Sequence, residues 1–363
     1  MTDSQDDSDW TEAETPLDLN LRDVAQTADG PYAVGTDGVV LGRRDGTWHI
    51  VVPVGPATKR NVLTSVDATA DGERVWFAGS SGALGMYDTA NRRKHDYSAP
   101  GGKTSTWEAI AVTGERGSER LLVANGSGEV LAATIGPDGC PRFGDVVKPG
   151  SGSTITGLDV GGDTVYAIDT SGNVFAKPVE SVGDDPSGDP ATDGEARSTA
   201  PDRSAEDEIE GHPCADGDTD GAAVDGTNDA EAGADDAADE RPEDAEWREI
   251  GIRNAQVNFH DVTASGDRVL VAGDGGLVYR YDRVCENWTP VQAGDVALLG
   301  IDDDGERTVA VGANGSAFER RRGSYGWRPT PTPVSAQLRA VALGSPSVAV
   351  GADGTAIERG DDA

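Results

Sequence analysis

A unit of about 40 residues recurs seven times along the chain, and no other feature restricts the possible folds so tightly. Each unit opens with a large apolar residue followed three places later by Val, Ile or Leu. The pairs are Leu21/Val24, Leu63/Val66, Trp107/Ile110, Ile155/Leu158, Phe259/Val262, Leu298/Ile301 and Leu338/Val341. The openings are 42, 44, 48, 104, 39 and 40 residues apart. The long interval contains an acidic stretch, residues 183–246, and without those 64 residues it shrinks to 40. That period suits a four-stranded propeller blade.

The inside of each unit reads as strands. A polar turn such as Ala28-Asp29-Gly30 follows the first run. A second short run rich in Val and Ala comes next, and a tight turn closes it at Gly38, Gly82, Gly128, Gly172, Gly276, Gly315 or Gly354. Glycine suits such hairpins because it accepts positive φ. A third run follows each glycine. The fourth carries an aromatic residue at Trp48, Tyr97, Phe143, Trp247, Trp288 and Trp327, and the seventh unit ends without one. The missing strand has a counterpart at the other end of the chain. Trp10-Thr11-Glu12 resembles the fourth-strand openings Trp247-Arg248-Glu249 and Trp288-Thr289-Pro290. The expected fold is therefore an all-β, seven-bladed β-propeller in which the N-terminal strand completes the last blade and removes an open sheet edge. The expected organisation is a flexible acidic N-terminus at 1–9 and a single propeller over 10–363. The segment 183–246 would be a disordered acidic insert between the third and fourth strands of blade four.

The run Val34-Gly35 to Gly38, followed by a strand and by Arg44-Asp45-Gly46-Thr47-Trp48, resembles the repeat of photosystem II stability/assembly-factor-like propellers. It is also similar to the wider BNR (Asp-box) group and to WD-type repeat propellers. The Ser and the extra Gly of the Asp-box proper are missing from this copy, and so is the Trp-Asp dipeptide of WD repeats. The resemblance implies the propeller fold and, for function, an assembly factor or binding platform. Some members of such families are sialidases.

Charge narrows the setting. The formal net charge is −35, from 65 Asp and Glu against 30 Lys and Arg, and only 5 of those bases are Lys. This profile resembles that of salt-in halophilic archaea. At molar salt the Debye length falls to about 3 Å, so crowded surface carboxylates hardly repel one another. The opposing reading is an acidic protein that binds a basic partner. Over half of the excess charge lies in 183–246, a stretch dense in Asp, Ala, Gly and Pro. Such a charge opposes general nucleic-acid binding. No run of 18 apolar residues suggests a membrane span, and the polar, acidic start resembles neither a secretory signal nor a transit peptide. Three widely separated cysteines form no zinc pair and no disulfide framework.

Few residues offer chemistry. The residue after each opening should face the channel, and in blades one, three, five and seven it is Arg22, Glu108, His260 and Arg339. These four form either a small polar site on the channel rim or solvated rim residues. Blades two, four and six have Thr64, Thr156 and Leu299 there. A second group, Arg43, Arg44, Arg320, Arg321 and Arg322, falls at the ends of third strands or just beyond, with Arg92, Arg93, Lys94, Arg280 and Arg283 in matching places. It reads either as a basic arc that receives an acidic partner or the insert, or as outer-strand arginines paired with carboxylates. No two histidines have metal-ligand spacing. His260-Asp261 reads as a hydrogen-bonded strand pair. Asp216-x-Asp218-x-Asp220-Gly221 begins like a calcium loop but has Thr227 where a bidentate acid is needed, so the insert is expected only to condense cations loosely.

The expected function is a non-enzymatic scaffold for protein–protein interaction or assembly in a halophilic cytoplasm. The expected protein is a monomer with an unidentified protein partner, without cofactor, catalytic residue or specific metal site, and without nucleic-acid or membrane association. The alternative is an Asp-box-type glycoside hydrolase at the channel rim, which would require an acid and a nucleophile converging there.

Overall fold

A computed structural model describes residues 10–182 and 246–360, apart from residues 253, 254, 256, 267 and 325. The expectations for residues 1–9, for the insert and for the Asp216 loop lie outside the described residues. Seven antiparallel sheets of four strands form a seven-bladed propeller. The innermost strands are Leu21–Thr27, Leu63–Ala68, Trp107–Thr113, Ile155–Gly161, Phe259–Ser265, Leu298–Asp303 and Leu338–Ala342. Each touches its neighbours, the first touches the seventh, and together they wall a central channel.

In six blades the strands run outward in chain order, as in blade one with Leu21–Thr27, Gly30–Gly35, Val40–Arg44 and Thr47–Val52. The seventh blade differs as the sequence predicts. Its outermost strand is Thr11–Ala13, antiparallel to Ala356–Arg359 with Glu12 opposite Ile357. Trp10, just before it, is 3% exposed and packs among Val309, Val311 and Leu338, with the Arg359 guanidinium over its ring. The chain's two ends thus share one sheet.

The period-2 alternation of the second strands builds the core. In Gly30–Gly35, Tyr32 and Val34 pack with Leu63, Val66 and Phe77 of blade two, whereas Ala33 packs with Val348 and Val350 of blade seven. Successive side chains of a strand point to opposite faces, and both faces of each blade are covered. These strands therefore read as continuous apolar runs. The core is a set of slabs between blades rather than a single centre.

The second-to-third-strand turns need glycine at their last position for two reasons. Gly315 has a φ of +69°, and a Cβ there would lie 2.1 Å from the Val334 carbonyl oxygen. These turns lie against the incoming connection of the next blade, on one face of the ring. The hairpins between third and fourth strands open on the opposite face.

Two details depart from the sequence reading. The fourth strand of blade four is only two residues long, Arg248–Glu249, and leaves out the Trp247 that opens it in the sequence. It is a sheet edge bonded on one side only, and Ile250 adds one further main-chain bond to Val174. Cys140 is disulfide-bonded, which the wide cysteine spacing does not suggest, while Cys285 is free and exposed.

Candidate functional site

The inner strands enclose a cavity of about 430 Å³. All seven residues that follow a unit opening line it: Arg22, Thr64, Glu108, Thr156, His260, Leu299 and Arg339. A bulge after the opening residue of each inner strand sets this position.

Their hydrogen bonds divide the seven. The Thr64 hydroxyl donates to the Trp107 carbonyl and, at 3.1 Å, to the Ala78 carbonyl. The Thr156 hydroxyl donates to the Phe259 carbonyl at 2.9 Å. Both threonines thereby tie their blade to the next. His260 Nε2 lies 2.7 Å from Asp274 Oδ1, on the turn of its own blade, and this bond holds the Asp274 carboxyl below the usual carboxylate range. Arg22, Glu108 and Arg339 remain. Each is half-buried, and none has an ion pair or side-chain hydrogen bond among the described residues. They act on one another through space. Burial lowers the Arg339 guanidinium and the neighbouring Arg22 charge lowers it further. Burial raises the Glu108 carboxyl, and Arg22 partly opposes this.

A second set of residues, not singled out by the repeat position, lies deeper in the channel. Asp23, Asp67, Asp159, Asp261 and Asp302 all line the cavity, and each carboxylate bridges two blades. One oxygen accepts the next N–H of its own strand, and the other accepts a main-chain N–H of the following blade. Asp23 takes Val24 and Val66, both at 2.8 Å, and also the Ser65 hydroxyl at 2.8 Å. Asp67 takes Ala68 at 2.7 Å and Val112 at 2.6 Å. Asp159 takes Val160 at 2.7 Å and Ala264 at 2.6 Å. Asp261 takes Val262 at 2.9 Å and Ile301 at 2.8 Å. Asp302 takes Asp303 and Leu343, both at 2.7 Å. The aspartates occupy two levels, with Asp23 and Asp261 third in their strands and the others fifth.

Blades three and seven have alanine at both levels, so the junctions that follow them are joined differently. Arg120 donates to the carbonyls of Glu180 and Val182 in blade four. At the ring closure, Gln26 donates to the carbonyls of Ala342 and Pro346. Arg43 and the Trp48 indole N–H both donate to Glu358, at 2.7 and 2.8 Å. The signal for the aspartates was present in the inner-strand runs, where Asp recurs at the third or fifth place in five units.

Burial raises all five carboxyls and the main-chain N–H bonds oppose it; other channel carboxylates add to the rise at Asp67, Asp159 and Asp261, and the neighbouring Asp303 and Asp304 add to it at Asp302. Asp67 is pushed up to about 7, Asp159 to about 8 and Asp302 to about 6; Asp23 and Asp261 also rise. Among the described residues no group of three His, Cys, Asp or Glu is placed to hold a metal ion. Among the described residues no tyrosine lines the cavity, so a sialidase-type nucleophile has no counterpart among them there.

The second set of arginines lies away from this mouth, on the opposite face, and its members have partners close by. Arg43 pairs with Glu358, as above. Arg44 reaches the Tyr32 hydroxyl at 2.6 Å and Asp29 at 3.7 Å. Arg321 pairs with Glu319 at 2.9 Å and Arg322 with Glu306 at 3.6 Å, while Arg320 donates to the Ser324 carbonyl at 3.5 Å. The structure therefore separates Arg22, Glu108, His260 and Arg339 from Arg43, Arg44, Arg320, Arg321 and Arg322.

No family model and no curated protein matches the chain. Solved structures do. One described as YCF48 bound to D1 peptide has a TM-score of 0.66 at 12% identity, covering 98% of this chain and 96% of that one. YCF48 from Cyanidioschyzon merolae has a TM-score of 0.60 at 14% identity, covering 97% and 98%. The WD40 β-propeller domain of Doa1 has a TM-score of 0.62 at 10% identity, covering 98% of both chains. At these identities the likeness is one of fold, shared with YCF48 and with a WD40 propeller.

Proposed function

We propose that this protein is a non-enzymatic scaffold for protein–protein interaction or assembly, working in a halophilic cytoplasm. The observation that carries this reading is the ring itself. Its blades are tied to one another by aspartate bridges, arginines and apolar slabs, which leaves two loop faces on a rigid frame. Similar propellers have been solved with protein partners, one with a D1 peptide and one in a mitotic checkpoint complex. The domain reading accompanies the proposal: one propeller over 10–363 with the insert 183–246 as a tethered acidic segment. The face carrying Arg43, Arg44 and Arg320–Arg322 is where an acidic partner or that segment would dock. The absence of a helix long and apolar enough to cross a membrane among the described residues fits this setting.

The test is affinity purification from the native host at molar salt, comparing wild type with a variant in which Arg320, Arg321 and Arg322 are all changed to Glu. A stoichiometric partner retained by wild type and lost by the variant is the expected result. No stoichiometric partner for either protein would defeat the scaffold reading, and equal retention would remove this face from it.

A further inference from the structure

We propose that the channel mouth binds a small zwitterion of amino-acid size, with a carboxylate held by Arg22 and Arg339 and an ammonium turned toward Glu108. Three of the seven rim positions are already engaged. Thr64 and Thr156 give their hydroxyls to main-chain carbonyls of the next blade, and His260 is held by Asp274. These three shape the mouth. Leu299 supplies an apolar wall. The charged residues Arg22, Arg339 and Glu108 face the same cavity and have no partner among the described residues.

Arg22 and Arg339 come from adjacent blades, so two like charges stand side by side. Leaving half-buried guanidinium groups unpaired is unfavourable. Elsewhere in this ring half-buried arginines meet acids, as Arg43 does Glu358 and Arg268 does Asp303. A carboxylate has the planar geometry that two guanidinium forks accept. A ligand that is only an anion would fit this end and fail at the other. Glu108 lies at the same level, and the aspartate carboxylates line the channel below. Two guanidinium groups and one carboxyl on the same rim select a molecule with both signs of charge close together. The cavity, about 430 Å³, is in the size range of small-molecule sites.

This goes beyond the scaffold reading and stands or falls separately, since partner capture and ligand heat are different measurements. Isothermal titration of the full chain at molar salt would use alanine, leucine and glutamine as zwitterions, acetate as carboxylate alone and ethylammonium as ammonium alone. At least one amino acid should bind saturably and about tenfold more tightly than acetate. Arg22→Gln with Arg339→Gln should abolish binding. Glu108→Gln should bring the amino acid down to the level of acetate. Leu299→Trp, which keeps every charge and narrows the mouth, should block binding even if the arginine variant fails to fold. Saturable heat from no amino acid would overturn the proposal, as would binding unchanged in a folded Arg22→Gln/Arg339→Gln variant. Acetate binding as tightly as the amino acids would overturn the zwitterion assignment.

Discussion

The inner-strand aspartates show how a single residue type can serve packing and charge together. The two oxygens of one carboxyl group each accept a main-chain N–H, one from its own strand and one from the next blade. That capacity lets one side chain close a bond across a blade junction. Removing it would leave two N–H groups without partners, at about 1–3 kcal/mol each where water cannot replace them. The environment also sets a pH dependence. The Asp159 carboxyl rises from its ordinary 3.8 to about 8, so between those values the folded chain binds a proton that the unfolded chain does not. The stability associated with this group is present at low pH and is lost as pH rises through about 8. Urea denaturation should therefore give a lower midpoint at pH 9 than at pH 5. Asp159→Asn should flatten that difference by at least about 1 kcal/mol, the worth of under one unit of pKa. An unchanged pH slope in the variant would show that the carboxylate is not the titrating group. The comparison with Asn also separates this residue from the general repulsion among surface acids, which likewise grows as pH rises.

At the level of elements, the ring depends on the strand Thr11–Ala13, which is only three residues long. Its main-chain bonds alone are a weak fastening. Trp10 strengthens it by filling the gap between blades six and seven beneath Arg359, which itself pairs with Glu319 at 2.8 Å. Trp10→Ala should cost about 3 kcal/mol or more, in line with other buried Trp truncations. Trp288 occupies the equivalent place in blade five but is only partly buried, with its indole N–H donating to the Ile250 carbonyl. Trp288→Ala should therefore cost less. Chemical denaturation of both variants checks the order, and equal losses would mean that closure depends on main-chain pairing instead. Most of this level was legible in the sequence. The seven openings, the turn glycines and the orphan Trp10 strand all have local signatures, because each unit repeats one hydrophobic pattern. The short edge strand at Arg248–Glu249 was less legible, because an outermost strand is bonded on one side and its apolar pattern does not dictate its length.

For the whole molecule the governing quantity is the net charge of −35. The ring places many of its arginines at blade junctions, where they meet acids, as Arg268 meets Asp303 at 2.9 Å and Arg74 meets Glu119. The remaining acids repel one another at a range that salt shortens to about 3 Å at 1 M. Raising KCl from 0.1 M to 2 M should raise Tm by at least about 5 °C, equivalent to roughly 3 kcal/mol for a domain of this size. Full stability at 0.1 M would favour the reading of an acidic protein built for a basic partner.

The sequence by itself determined the number of blades, their strand order and the closure of the ring by its own N-terminus. Each of these follows from apolar periodicity and turn chemistry within about 40 residues, which are local properties. It also placed Arg22, Glu108, His260 and Arg339 on one rim, because they share one position in the repeat. Only the tertiary structure decided which of them are engaged. His260 is held by Asp274 of its own blade, whereas Arg22, Glu108 and Arg339 have no partner among the described residues. Only the tertiary structure showed that Asp23 and Asp302 reach into the next blade while Arg43 meets Glu358 across the seam. The physical reason is distance along the chain. A hydrogen bond that spans a blade junction joins residues some 40 to more than 300 places apart, and no local pattern records which donor will stand opposite which acceptor.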